Sequence, residues 1–562
     1  MKQIYNLIKL IYLILYSLYF HSKNFFFIFK NNKIKKSSKE EIDFLNKNKN
    51  FWKNNPTAKK KIIITDFVHQ IGFTLSECIL GKYIQNIFNY EYQVIGVLDS
   101  HDLFGKKIFK SYSINDFIEY PRINIINRIK YILTAFKILG KYKNVEEFLK
   151  FSYGEINIGK SVYDHILRHT GIGSINKFNI KFYFFLSEAL YCYQYFLKIF
   201  KKNNFDYMIM SEIQFLPASI IFQLALSNNI KVVSRLSGPK KIGVRFYNTQ
   251  IKKFETNIKI SNELFNMVYE SESEKYSKEG FDFINKVFKG EMTHYDQNSI
   301  KLFKNKNQNN LDSFYKELGW ERSKKICTVF GHNLLDGNFN NEWRIFKDNL
   351  TWLRETLHFI KDSKQDINWL IKEHPSEYGK KKASMSTFEE FEKIIGHGVK
   401  NIKFFPNKFN SRILKDVINF ALTSFGSAGL EYPCFGIPTM VCGDCYYHGF
   451  GIPIEPNNSD EYFKNLGNLE KLIQDGLSID RIKRAKVLFY ILNDLIKMDH
   501  PLLSEFDISR DLNIDSFFRE MTNLIDNYDL ENDFFKIYLK NQLVNKSKHL
   551  INEKKLIKKH AS

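Results

Sequence analysis

Cysteine is scarce: six in 562 residues, at positions 78, 192, 327, 434, 442 and 445, mostly inside apolar runs. That excludes a disulfide framework and fits buried thiols in a reducing compartment. The one close pair, Cys442-Gly-Asp-Cys445 with His448 beyond it, has no second pair to complete a zinc set. A structural turn after a strand is the simpler reading, and no metal is expected. No RNP-like, zinc-finger or basic-zipper pattern occurs, so nucleic acid is not expected as a partner. No internal repeat is visible. Also missing is an uninterrupted apolar run of the ~20 residues that a spanning helix needs. The most apolar stretch, residues 4–29, is broken by Lys9 and by His21-Ser22-Lys23-Asn24. It reads as a helix lying in a bilayer surface, with Tyr and Phe at headgroup depth. Lys30, Lys33, Lys35, Lys36 and Lys39 follow, a cluster suited to an anionic membrane surface on the cytoplasmic side. A signal anchor and a helix packed on the protein body compete with that reading.

What is abundant is positive charge and apolar mass. The formal charge of +22 favours anionic partners, although Lys, Asn, Ile and Phe dominate everywhere and compositional bias accounts for part of it. The apolar and aromatic content suffices for packed cores, and the length suits two to four domains at roughly 150 residues each.

The most informative stretch runs from Val417 to Gly451. Val417–Leu422 reads as a buried parallel strand that empties into the small polar turn Thr423-Ser424-Phe425-Gly426-Ser427. A helix from about Ala428 is stopped by Gly436 and Pro438, and Ile437–Cys442 is a second strand. Strand, Ser/Gly turn, helix aims free N–H groups and hydroxyls at a phosphate. Upstream, Asn368-Trp-Leu-Ile-Lys-Glu-His-Pro375 is another strand, which brings an imidazole to the same sheet edge. The pair predicts an anion-binding cleft for a nucleotide-activated donor.

The rest of the chain is ordered around that. Strands are predicted at 60–66, 92–98, 207–212, 230–236, 325–330 and 401–405. Helices are predicted at 73–89, through 113–203, and at 215–228, 341–362, 388–395, 460–475, 479–498 and 513–527. Alternating strands and helices mean parallel α/β sheets. Five segments are expected: an apolar helix and basic tether (1–58), an N-terminal α/β acceptor domain (59–260), a helical connector (261–322), a C-terminal α/β donor domain (323–478), and C-terminal helices with a lysine-rich tail (479–562). Asp66 and Glu212 end two strands of the N-terminal half and are candidate bases, with His69 third. Arg235 and Arg245 flank Ser237-Gly238-Pro239, which reads as a solvated loop ahead of its alternative, a pair that binds an anionic acceptor.

Lys372-Glu-His-Pro375, Thr423-Ser-Phe-Gly-Ser-Ala-Gly-Leu-Glu431 and Gly436-Ile-Pro-Thr439 together resemble bacterial capsule and surface-polysaccharide glycosyltransferases, including the Kdo transferases. They are also similar to bacterial sialyltransferases and to the polyol-phosphate transferases of teichoic-acid synthesis. The resemblance covers about 325–455. It implies the GT-B fold, two Rossmann-like domains facing across a cleft, with a metal-independent transfer and no resident cofactor. His374, in the loop that Pro375 fixes, would contact the donor phosphate, with Lys372 beside it. Ser424, Ser427 and the amides of Gly426 to Ala428 would hold the phosphate from the other side. Glu431 would bond the ribose, and His332 or Asn333 would line the base or phosphate. Where some relatives carry Ser-Ser, this chain has Ser424-Phe425, which leaves open which hydroxyl makes the contact. The implied donor is a CMP-linked acidic sugar, and the acceptor a surface glycan or glycolipid. A CDP-polyol phosphotransferase, a nucleotide-sugar epimerase and a non-catalytic export scaffold are the alternatives.

Overall fold

Buried β-branched runs separated by amphipathic helices set the architecture, as required when helices cover both faces of a parallel sheet. A computed structural model describes residues 11–16, 37–53, 60–68, 70–99, 102–120, 123–238, 240–248, 256, 258–291, 310–339, 344–377, 386–504 and 514–556. The chain divides into two compact units. The first takes in Met1–Ile166, Asn176–Lys252 and Lys497–Asn552, the second Leu167–Ile175, Lys253–Ile496 and Glu553–Ser562.

In the first unit the strands are β1 (Lys60–Thr65), β2 (Tyr92–Asp99), β3 (Asp116–Tyr120), β4 (Phe205–Met210), β5 (Lys231–Ser237) and β6 (Lys241–Tyr247). Spatially they run β6-β5-β4-β1-β2-β3, with a short strand Met498–Asp499 outside β6. β1 lies parallel to both β2 and β4, so the strand order reverses between β1 and β4. Helix α1 (Ile71–Ile87) follows β1 and is buried throughout residues 74–85, as its nearly continuous apolar sequence requires. Helices α2 (Ile125–Leu139) and α3 (Ile180–Lys202) pack against each other.

Two expectations are corrected here. The region 113–203 is not helical throughout, because Asp116–Tyr120 pairs with β2 as the edge strand β3. Arg235 and Arg245 do not flank a solvated loop. They lie buried on β5 and β6, which form an antiparallel hairpin.

In the second unit β7 (Lys325–Phe330), β8 (Ile367–Lys372), β9 (Ile402–Phe404), β10 (Phe420–Thr423) and β11 (Thr439–Val441) form an all-parallel sheet ordered β9-β8-β7-β10-β11. Every residue of β8 is buried, which explains its unbroken apolar run. Helices α4 (Asn349–Asp362), α5 (Thr387–Ile394) and α6 (Ala428–Glu431) flank the sheet. The indole of Trp352 donates to the hydroxyl of Tyr462 at 2.8 Å and Thr356 meets the same oxygen at 2.9 Å, so these three polar groups of the core are paired with one another. The strand order reverses between β7 and β10. In open parallel sheets that is where the carboxyl ends of the strands leave a crevice for a ligand.

Among the described residues no helix is long and apolar enough to cross a membrane. Of the expected surface helix over 4–29, residues 11–16 are described, and they are helical; the rest lies outside the described residues, as do His69 and the lysines up to Lys36.

Candidate active site

The reversal of the second sheet is flush. Phe330 pairs with Lys372 on one side and Thr423 on the other, so the loops beginning at Gly331, Glu373 and Ser424 leave the sheet at one level. The amide of Gly331 donates to the carbonyl of Lys372 at 2.7 Å. A Cβ at Gly331 would meet the Thr387 hydroxyl at 2.6 Å and the Lys372 carbonyl at 3.1 Å, so glycine is what allows the loops this close.

His332 is the hub. Its ring lies 4.1 Å from that of Phe425 and 5.9 Å from that of His374, the two imidazoles inclined by 27°. Two neighbours meet its Nδ1. Arg344 can only donate, and it donates to Asn349 Oδ1 at 2.8 Å. That fixes the Asn349 amide so that Nδ2 faces His332 Nδ1 at 3.3 Å and can donate to it. The carbonyl of Asn333, 3.2 Å from the same nitrogen, would favour a proton on Nδ1, but it has a donor of its own in Asn349 Nδ2 at 3.5 Å. An Nε2–H ring satisfies the Asn349 amide and an Nδ1–H ring satisfies the Asn333 carbonyl. Burial first, with Arg344 adding to it, lowers the affinity of His332 for a second proton; Asp336 and the Asn333 carbonyl oppose this without reversing it. His332 is a neutral imidazole presenting an N–H.

The two serines play different parts. Ser424 is wholly buried, and its hydroxyl donates to Asn349 Oδ1 at 2.8 Å while accepting from Arg344 at 3.2 Å. Ser427 is half-buried, and its hydroxyl does not cap the helix it precedes. The turn between them is held at several points. The Gly426 amide donates to Thr423 Oγ1 at 3.1 Å, the Tyr447 hydroxyl donates to the Gly426 carbonyl at 2.5 Å, and the Arg344 guanidinium lies 4.9 Å from the centre of the Phe425 ring. Because Gly426 N is occupied, the expected set of amides reduces to those further along the turn. Glu431 lies half-buried one helical turn past Ser427.

Of the remaining candidates, Lys372 is buried with its ammonium on the Glu373 carbonyl at 3.1 Å. Asn333 caps its own loop by accepting from Leu335 N at 3.1 Å. Pro375 opens a 3-10 turn, Pro375–Glu377, whose last amide returns to the His374 carbonyl at 2.9 Å. Three residues here escaped sequence reasoning. Arg344 and Asn349 sit in polar sequence with no motif around them. Glu377 follows the His-Pro pair and accepts from the Thr387 amide at the start of α5 at 3.2 Å. Burial, seconded by Glu373, raises its carboxyl from an ordinary 4.5 to about 7 against the pull of Thr387.

The first unit has its own edge chemistry. Ile64 pairs with Ile209, which sets Asp66 and Ser211 at neighbouring strand ends. Asp66 is buried and accepts from the Thr74 hydroxyl at 2.8 Å. Glu212 is half-buried, with Oε1 accepting from the amides of Gln214 at 2.7 Å and Phe215 at 3.4 Å. A carboxylate that sequence reasoning missed, Glu77 of α1, is fully buried beside them and accepts from the Ser211 hydroxyl at 2.6 Å. Burial and then the charge of Asp66 push its carboxyl well above the usual range, against the Ser211 bond and Arg235. Arg235 donates to Ser76 Oγ at 3.0 Å and to the Ser237 carbonyl at 2.5 Å, with its guanidinium 4.0 Å from the centre of the Phe73 ring.

No family profile matches the chain in sequence, and no curated protein matches it. Some solved structures are distantly similar to it. The β-Kdo 2,4-transferase of Thermosulfurimonas dismutans KpsC is 11% identical, covering 58% of this chain and 93% of its own, with a TM-score of 0.34. The UDP-GlcNAc 2-epimerase of Neisseria meningitidis is 10% identical over 77% of this chain and 96% of its own, at 0.23. The wall teichoic acid polymerase TagF is 11% identical over 91% of this chain and 96% of its own, at 0.21. At these identities and scores the likeness assigns no residue of this chain a role.

Proposed function

We propose that the chain is a glycosyltransferase that moves a sugar from a nucleotide-activated donor, a CMP-linked acidic sugar ranked first, to a surface glycan or lipid-linked acceptor at the cytoplasmic face of a membrane. The observation that carries the reading is the flush meeting of His332, the His374 loop and the Ser424–Ser427 turn at the reversal of the second sheet. As the bond from the anomeric carbon to the phosphate oxygen breaks, negative charge grows on the leaving phosphate. Fixed donors aimed at that charge act where it develops, and removing one costs ~10²–10³ in rate. On this reading His332 in its Nε2–H form, His374 and the Ser427 hydroxyl take the charge. Ser424, Asn349 and Arg344 hold them in place, and Glu431 takes the ribose. The acceptor oxygen bonds to the anomeric carbon and its proton passes to a carboxylate, for which Glu212, more exposed than Asp66, is the better candidate.

The test is incubation with doubly labelled CMP-sugars and CDP-polyols, with and without a glycan acceptor. Sugar appearing in the glycan without phosphate is the expected result. Phosphate carried into the product would make the protein a polyol-phosphate transferase instead, and an altered sugar formed without acceptor would make it an epimerase. No turnover with any donor, together with no binding of CMP, CDP or UDP, would overturn the reading.

A further inference from the structure

We propose that α2 is a second membrane-docking element that seats the first unit on an anionic lipid surface, independently of the N-terminal apolar stretch. The exposed face of this helix is a mixture that water alone does not favour. Ile126 is 80% exposed and Leu133 37%. At ~100° per residue, Ile126, Lys130, Leu133 and Lys137 fall within an arc of about 60°. The opposite face is anchored. Ile132, Ala135 and Leu139 are buried, and Arg128 is paired with Glu188 of α3 and lies 4.6 Å from the centre of the Phe184 ring. The outward stripe is thus held rigidly.

Its charge is of one sign. From Ile123 to Asn144 the chain holds no Asp or Glu, while Lys130, Lys137, Lys141 and Lys143 are all exposed. Among the described residues none of these four ammonium groups forms an ion pair with a carboxylate, although the backbone amide of Lys143 donates to Glu147, whereas the Arg128 guanidinium on the inner face is paired. A protein partner that covered the stripe would have to supply both acidic and apolar groups in alternation. A bilayer with anionic headgroups supplies both everywhere, with the isoleucine and leucine at acyl depth and the lysine stems reaching back to the phosphates. A second observation points the same way. The short helix at 11–16 leaves Ile11, Tyr12 and Leu15 exposed, and its Tyr16 hydroxyl accepts from Lys181 at the start of α3, the helix against which α2 packs. Two helices bound to α3 therefore carry exposed apolar groups.

The experiment is flotation of the full chain with vesicles of phosphatidylcholine and phosphatidylglycerol, against phosphatidylcholine alone, at low and high salt. The wild type is expected to float with the anionic vesicles and to be released by salt. Lys130→Glu with Lys137→Glu should lower that partition by about tenfold or more. Ile126→Ser with Leu133→Ser, a pair that leaves the charge untouched, should lower it as well. Both pairs sit at exposed positions, and both should leave thermal melting and turnover of a soluble acceptor unchanged, which separates a failure of docking from a failure of the transferase reading. Wild-type binding to either vesicle without salt dependence would overturn the proposal. So would wild-type partition by both variants, which would leave the N-terminal stretch as the sole anchor. A wild type that binds neither vesicle would overturn it too, and would assign the stripe to a protein partner.

Discussion

The two sheets reverse their strand order in the same way, and the side chains at the two reversals could hardly differ more. In the first unit the place beside the reversal is filled with ionisable groups held by neutral neighbours: Glu77 accepts from Ser211 and Asp66 from Thr74, and Arg235 donates to Ser76 and two carbonyls, while Glu77 Oε2 is buried without a hydrogen-bond partner among the described residues. Taking charge out of water is costly, and burial beside Asp66 accordingly favours the neutral form of Glu77. In the second unit the same place holds the rings of His332, His374 and Phe425, with Arg344 behind them as a brace and Lys372 buried on the Glu373 carbonyl. In open parallel sheets a reversal of strand order is where ligands bind, and the two reversals of this chain differ in the side chains that stand beside them.

If the contrast is real, damage to one reversal should not travel to the other. Arg235→Ala should have the largest effect on stability, about 3 kcal/mol, because it leaves the buried Ser76 hydroxyl and the carbonyls of Ser237 and Gly238 without their donor. Faster hydrogen exchange along α1 and β5, with nucleotide affinity intact, is the expected result; slower nucleotide binding would show that the units are not independent. His374→Ala should do the reverse. It should lower transfer by ~10²–10³ while exchange along α1 stays as it was. A loss of only a few-fold would remove His374 from the proposed leaving-group site.

Acid and base should separate the two further. Glu377 has its carboxyl raised from 4.5 to about 7, so the folded second unit holds this proton more tightly than the unfolded chain does. The stability it contributes is complete below pH 4.5 and is lost as pH rises through about 7, roughly 2–3 kcal/mol across that window. Glu377→Gln should flatten that slope, read as the pH dependence of exchange along α5. A slope that survives the substitution would place its origin elsewhere.

How much of this was legible in the sequence depended on whether a residue's role is local. Lys325–Phe330 and Ile367–Lys372 are apolar runs ending in Gly and His-Pro, and such runs announce a buried strand and a loop. The strand expected from Val417 instead starts at Phe420, because the 3-10 turn Ser411–Asp416 delivers an equally apolar Val417-Ile418 before it. Asp116–Tyr120 was missed because it is a short edge strand with its charged residues exposed. The strand β5 is legible at 230–236, but β6 is not, because Ser-Gly-Pro marks a turn and nothing local shows that an arginine is buried on each side of it. Arg344 and Asn349 acquire their roles only when folding brings them to Ser424, so no spacing rule could find them. Glu77 did leave a trace, a lone carboxylate in the apolar run Leu75–Leu80. A buried charge in such company always requires an explanation.

The smallest effects give the sharpest test of the second reversal, because they divide one short turn. Ser424 is buried with both Asn349 and Arg344 on its hydroxyl, so Ser424→Ala leaves a buried acceptor and a donor short of a partner and should cost about 1–2 kcal/mol of stability. Its effect on donor affinity should be slight as long as the turn survives. Ser427 caps nothing and is half-exposed, so Ser427→Ala should leave melting within about 0.5 kcal/mol of wild type. It should instead weaken the nucleotide by roughly tenfold to a hundredfold, the worth of one hydrogen bond to a charged group. Melting curves and nucleotide titrations on the two variants therefore form a crossed pair. If Ser424→Ala loses affinity and keeps its melting point while Ser427→Ala does the opposite, the hydroxyls have been assigned the wrong way round. If both lose both, the turn acts as one piece and a division between brace and ligand contact has no meaning there.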